Sequence, residues 1–375
     1  MGTGMMKKCI AFCKSQPVLV ISFLAALLTM LFVPPDREYL GYCNVTVLIE
    51  LFALMAAVAG LRGAGLFEKA TQLLLNKAGT VRRLGLIFTL LCFFSAMLVT
   101  NDVALLTFVP LTLLVWESVQ DERSRILTIV LESAAANLGS MLTPIGNPQN
   151  LYLYEKYALT ALDFIRVMLP TGVVGLVGLW LLTLLLPATP CKAPDREVPP
   201  IGRKQSIGFG LLFVLCLLAV LRILNVWALL LIAVVIAVIF DYKSLAKVDY
   251  ALLATSVCFF VFVGNIARIE AVSQFFSGIL QGRELLVAAL LSQGISNVPA
   301  AVMLAGFTEN GKALLLGVDI GGFGTLIASL ASLISFQIYR KAPGAKTGRY
   351  MLVFSAVNFG LLLVLLLTAW LIPTT

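Results

Sequence analysis

Two short polar stretches interrupt otherwise apolar runs of this chain: Thr100-Asn101-Asp102 and Ser296-Asn297-Val298-Pro299. Oxygens of Thr100, Asn101, Ser296 and Asn297 can join backbone carbonyls around a hard cation such as Na⁺, with Asn101 and Asn297 as the candidate ligands. Their N–H and O–H groups can equally face an anion, and the residue types fit both. The bland alternative is that they satisfy the backbone where the chain turns. A third stretch, Thr143-Pro144-Ile145-Gly146-Asn147-Pro148-Gln149-Asn150, has the form of a helix start. Asn147 suits an N-cap, Pro148 suits the first helical position, and Gly146 permits the unusual φ or close approach of a break. Such a start offers an anion free N–H groups and the positive end of a dipole. The competing reading is a proline-kinked helix whose asparagines cap their own backbone.

Carboxylates inside apolar runs are the next candidates, because an ionisable group at membrane depth costs about 2.5–3.5 kcal/mol on insertion scales. Asp102 sits in the first interruption, at a hairpin tip, and Asp319 at a helix break, so both are placed to bind a coupling ion or carry a proton. Glu132 near a membrane face and Glu50 beside a helix neighbour leave structural readings open. The chain has no histidine, so proton coupling has to use carboxylates. Its seven cysteines are scattered without a CxxC pair and read as small buried hydrophobes. No metal-spaced cluster, Ser-His pairing or phosphate-binding loop occurs, which argues against an enzyme, an ATP-driven pump and any cofactor beyond Na⁺ as coupling ion.

The elements that must position these residues follow from composition. Sixty per cent of the 375 residues are hydrophobic and 12% are charged, which excludes a soluble globule. Apolar runs such as 17–33, 44–61, 164–186 and 350–371 are each long enough to cross the bilayer as a helix. The net charge of +8 sits in short clusters between such runs, where it sets topology and argues against nucleic acid. Lys7, Lys8 and Lys14 place the amino terminus in the cytoplasm; Arg62, Lys69, Lys77, Arg82 and Arg83, then Lys192, Arg196, Arg203 and Lys204, then Lys243 and Lys247, then Arg340 to Arg349 mark later cytoplasmic loops. Arg62 and Arg268 are assigned topological roles. The carboxyl terminus falls outside, in a multi-pass protein of an inner membrane. The expected fold is all-α, with about nine transmembrane helices and two re-entrant hairpins.

The parts are a helix and loop (1–42), a first repeat (43–188), a cytoplasmic linker (189–205), a helix pair (206–248) and a second repeat (249–375). Each repeat runs through a span, an interrupted hairpin (84–116 and 285–307), a broken helix (126–155 and 313–338) and a closing helix. ANLGSMLTPIGNPQN aligns with VDIGGFGTLIASLAS, pairing Asn137 with Asp319, Gly139 with Gly321 and Thr143 with Thr325. The charge pattern gives the repeats opposite orientation. Inverted repeats with broken helices in matching places are the signature of secondary transporters, whose site lies at the repeat interface.

At these motifs the chain resembles the ion transporter superfamily, particularly citrate-transporter-like permeases and the divalent-anion:sodium symporter family, over residues 20–371. The resemblance implies Ser-Asn-Thr hairpin tips that help bind Na⁺ and a substrate carboxylate, a small-anion substrate such as citrate or succinate, and a homodimer. Thr100-Asn101-Asp102 and Ser296-Asn297-Val298 stand at those tips, with Asp102 and Val298 departing from the family's threonines. A tip reading Asn-Asp is also similar to the arsenite efflux and sodium/proton antiporter branches, the alternative the resemblance leaves open.

Overall fold

The structure, a computed structural model, describes residues 16–65, 69, 79–191 and 201–372. Lys7, Lys8, Lys14, Lys77, Lys192, Arg196 and the carboxyl terminus at Thr375 lie outside the described residues. Among the described residues the regular secondary structure is helical, with no strand. The first described elements are α1 (Pro17–Met30), a single turn α2 (Tyr39–Tyr42) and the long α3 (Val45–Gly63). The first hairpin is α4 (Val81–Val99) and α5 (Asn101–Val119), followed by a broken span, α6 (Glu122–Ser140) and α7 (Pro148–Lys156), and a closing α8 (Ala161–Thr183). After the linker come α9 (Arg203–Val220), α10 (Val226–Asp241) and α11 (Tyr250–Ala267). The second repeat continues with α12 (Glu270–Leu280), the hairpin α13 (Glu284–Ile295) and α14 (Asn297–Leu304), the broken span α15 (Gly311–Ile320) and α16 (Leu330–Tyr339), and α17 (Thr347–Ala369).

Local chemistry sets the starts of these helices. The side chains of Asn44, Thr80, Asp249 and Asn310 each accept a backbone N–H three residues on, and Thr160 forms a reciprocal capping box with Asp163. Among the described residues seven helices are long and apolar enough to cross a membrane, and the chain is a polytopic all-α membrane protein. Six of them are unbroken spans of the expected set, and the seventh is α4. The hairpins differ in reach: both arms of the first have 19 residues, whereas the second has arms of 12 and 8.

The span that organises the fold is among the least apolar. In α6, 15 of 19 residues are buried, including the run Ser133-Ala134-Ala135-Ala136 and Gly139, so this helix meets protein on all sides instead of lipid. It packs against α4, α5, α8, α16 and α17. Small residues let backbones approach closely where no hydrophobic drive separates helix from lipid. Closest is Gly139, where a Cβ would stand 1.9 Å from the carbonyl oxygen of Phe93 in α4. A second group, α3 with α9 and α10, and α1 with α11, packs beside this core. Arg268 ties the loop after α1 to the end of α11 through Asp36 (2.8 Å) and Glu38 (3.4 Å), and its guanidinium holds the Asp36 carboxyl below the usual range.

Gly139→Ala should therefore destabilise the protein by about 1–3 kcal/mol, read as a lower melting temperature in detergent. Gly210→Ala in α9, where a Cβ meets nothing within 4 Å, should be neutral or slightly stabilising.

Candidate functional site

Both hairpins turn on one residue, and the two turns are alike. Thr100 has φ 74° and ψ 153°, and Ser296 has φ 74° and ψ 154°. This conformation belongs almost entirely to glycine and costs a side-chain-bearing residue on the order of 1–3 kcal/mol. It lets one helix stop and the next begin within a single residue, so α5 starts at Asn101 and α14 at Asn297. The breaks also match. Asn147 (φ −145°, ψ 148°) precedes α7 and Ser329 (φ −135°, ψ 129°) precedes α16, both extended, at the same register of the repeat alignment. Pro148 occupies the first turn of α7 as expected, but the Asn147 side chain does not cap that helix.

Hydroxyl groups fasten each hairpin to its break in the same way. Thr143 Oγ1 donates to the Met97 carbonyl (2.6 Å) and Thr325 Oγ1 donates to the Gln293 carbonyl (2.9 Å), each acceptor lying three residues before its hairpin tip. Thr143 and Thr325 are thus braces between hairpin and break. Gly146 is needed for packing, because a Cβ would come within 2.2 Å of the Ser140 carbonyl oxygen. Gly321 is similarly enclosed by Gly317 and Ser292.

Across the two repeats the polar groups form one network centred on Asn137. Its Oδ1 accepts from Asn101 Nδ2 (3.0 Å) and Ser329 Oγ (2.9 Å), and its Nδ2 donates to Ser332 Oγ (3.2 Å) and, at 3.5 Å, the Gly322 carbonyl. Asn297 lies against Gly322 and donates its backbone N–H to the Ala328 carbonyl (3.0 Å), which Ser296 Oγ also approaches (3.3 Å). Asp319 Oδ1 accepts from Gln149 Nε2 (3.0 Å), so the acid of the second break is held by the first. Four helix starts, those of α5, α7, α14 and α16, are tied into this region.

A cavity of about 730 Å³ reaches it between α3, α5 and α11. Thr100, Asp102 and Pro148 stand on its wall, and Arg62, Lys247 and Asp249 stand there too. Asn101, Asn137, Asn147, Ser296, Asn297, Asp319 and Gly321 are buried behind that wall. Arg62, read from sequence as a topological marker, also donates to the Leu106 carbonyl (2.9 Å) and faces the cavity. Sequence reasoning missed Ser329 and Ser332. Continuing the repeat alignment pairs Ser329 with Asn147 and would have found it, whereas nothing marks Ser332 apart from other helix serines. Gln293 was also missed: its amide donates to the Gly321 and Phe323 carbonyls (2.8 and 2.9 Å) exposed by the second break.

Asn137→Ala leaves the buried Asn101 amide and Ser329 hydroxyl without their shared acceptor, at a cost of about 1–3 kcal/mol for each unsatisfied group. The expected result is a melting temperature well below that of Ser332→Ala, together with loss of any transport activity.

With this geometry in view, comparisons with known proteins are specific. A family profile described as citrate transporter, CitMHS, matches residues 9–311. The chain is 33% identical over 342 residues to a protein of Methanocaldococcus jannaschii named "Uncharacterized transporter MJ0456", covering 90% of this chain and 93% of that one. It is 31% identical over 302 residues to the "Inner membrane protein YbiR" of Escherichia coli, covering 78% and 79% of the two chains. Over 167 residues it is 30% identical to the rice "Silicon efflux transporter LSI3", covering 44% of this chain and 33% of that protein. The chain is a membrane transporter, not an enzyme, and it belongs to the CitMHS citrate transporter family.

Proposed function

We propose that this transporter is a secondary active carrier of a small anion, a di- or tricarboxylate such as citrate or succinate, coupled to Na⁺ or H⁺. The observation that carries the reading is the meeting of four helix starts at one buried amide and hydroxyl network. Free N–H groups and positive dipole ends there attract a carboxylate without a fixed cation that would hold it too tightly for release. The helices that end at the same places, α4, α6, α13 and α15, turn carbonyl oxygens toward the region, and with Asn101 and Asn297 these suit Na⁺. Asp102 and Asp319 are the acids available to take up a proton instead. The cavity joins the first hairpin tip to the face bearing Arg62 and Lys247, which the charge pattern assigns to the cytoplasm of a cell whose inner membrane holds the protein. Arg62 and Lys247 then draw the anion to the mouth.

One observation favours a second reading, export of a small hydroxylated acid of arsenic or silicon. Asp102 stands at the tip where the anion would bind, and a carboxylate accepts hydrogen bonds from a neutral hydroxylated solute but repels citrate. The likeness to the rice silicon efflux transporter supports the same reading.

The test is uptake of labelled citrate and succinate into liposomes holding the purified protein, under an inward Na⁺ gradient or a proton gradient alone. Uptake driven by either gradient and lost in Asn101→Ala is the expected result. If neither acid moves while the folded protein carries arsenite or silicic acid, the second reading replaces the first.

A further inference from the structure

A second acidic group lies apart from the cavity. Glu132 is in the interior of α6 and fully buried. Its Oε1 accepts a 2.6 Å hydrogen bond from Thr112 Oγ1 of α5, and its Oε2 has no hydrogen-bond partner. None of the four ion pairs among the described residues includes it. Among the described residues, the titratable groups that face it are Cys92 from α4 and Tyr350 from α17; α5 presents the Thr112 hydroxyl, and no described lysine or arginine bears on it. From α16, Ser332 meets the neighbouring Ser133 (3.3 Å), and α8 packs on α6 from the remaining side. An ionised carboxylate in such a place is cut off from solvent and without an ion-pair partner among the described residues, whereas a proton has an unpartnered oxygen to occupy.

We propose that Glu132 is a proton-binding site of the transport cycle, distinct from the substrate cavity, and that hairpin arm α5 senses its occupancy through Thr112. The proposal rests on the proton-coupled form of the reading given above and names the residue that would hold the proton. Thr112 and Asn101 belong to the same helix, so the bond to Glu132 acts on the arm whose first residue is the hairpin tip. When the proton leaves, the Thr112 hydroxyl donates to a charged acceptor and the bond strengthens, by roughly a factor of two for a charge-assisted bond. When the proton returns, the bond weakens and the seam between α5 and α6 loosens. A second connection runs along α6 itself, from Ser133 to Ser332 and from Ser332 to Asn137, which holds Asn101.

Hydroxyl groups of α16 and α17 lie on the Tyr350 side of Glu132. Tyr350, which faces Glu132, shares a 3.0 Å hydrogen bond with Ser335 and stacks on Tyr339 at 4.8 Å between ring centroids. The Tyr339 hydroxyl donates to Glu122 in the first turn of α6.

The decisive experiment needs no substrate. Infrared spectra of the full-length protein in liposomes, recorded from acidic to alkaline pH, should contain the carbonyl stretch of a protonated carboxylic acid that is missing in Glu132→Gln and shifted in frequency in Thr112→Val. A spectrum that Glu132→Gln leaves unchanged at every pH overturns the proposal. Should that variant fail to fold, Glu132→Asp keeps a carboxyl group and must move the band; an unmoved band overturns the proposal equally. In transport, wild-type protein should accumulate labelled citrate roughly tenfold per pH unit for each coupled proton, and Glu132→Gln should lose that accumulation; retention of it sinks the proposal. A wild-type protein that shows the infrared band but carries no citrate counts against the carboxylate reading and leaves Glu132 as a proton site.

Discussion

Helices that stop inside a membrane protein leave backbone groups which no water can reach, and these have to be satisfied by the rest of the chain. Here four helices end and four begin in one region, and most of the tertiary polar chemistry answers that demand. In the first repeat Asn150 donates to the carbonyls of Ser140 and Thr143 (3.2 and 3.3 Å), and in the second Gln293 donates to those of Gly321 and Phe323. The donor comes from the half-helix in one case and from the hairpin in the other. The repeats share a backbone plan while their side chains solve the same problem differently, so the two half-sites are not chemically equivalent.

The inequivalence extends to access. Only the first repeat presents its tip to the cavity, through Thr100 and Asp102. The cavity extends along α3 toward Gly63, beside Gln205 and Lys247. At the other end of α9, Arg222 reaches Glu155 of α7 (3.5 Å) and the Tyr154 carbonyl (3.1 Å). The half-helix that begins at the cavity therefore ends in contact with the neighbouring helix group, and that ion pair bridges two parts of the molecule on the side away from the opening.

Much of this was legible in the sequence because polar residues inside apolar runs are conspicuous. Thr100-Asn101, Ser296-Asn297 and the Gly146-Asn147-Pro148 stretch announced turns and breaks, and the hairpins and broken spans stand at those places. The pairing of Thr143 with Thr325, an alignment of two letters, became two equivalent hydrogen bonds. What the sequence concealed was long-range pairing between ordinary residues. Ser332 and Gln293 look like any helix serine or glutamine until the fold brings them to a backbone carbonyl or to Asn137. Nor does any pattern reveal that α6, poor in large apolar residues, is enclosed by protein along most of its length, because that follows from which helices surround it. Burial also distinguishes the two tips, with Ser296 and Asn297 held against Ala328 and Thr100 facing the cavity.

The threonine braces carry a mechanical implication. Each hairpin is bolted to its own broken helix close to the tip, and Asn137 joins the two assemblies, so relative sliding of hairpin and break would tear several buried bonds at once. The compliant boundary is then the cavity-lined seam between this block and α3 with α11, where the contacts are mainly apolar side chains that exchange neighbours at little cost. A displacement of the block as a unit along that seam would leave the braces and the Asn137 network intact, with these residues keeping their mutual distances.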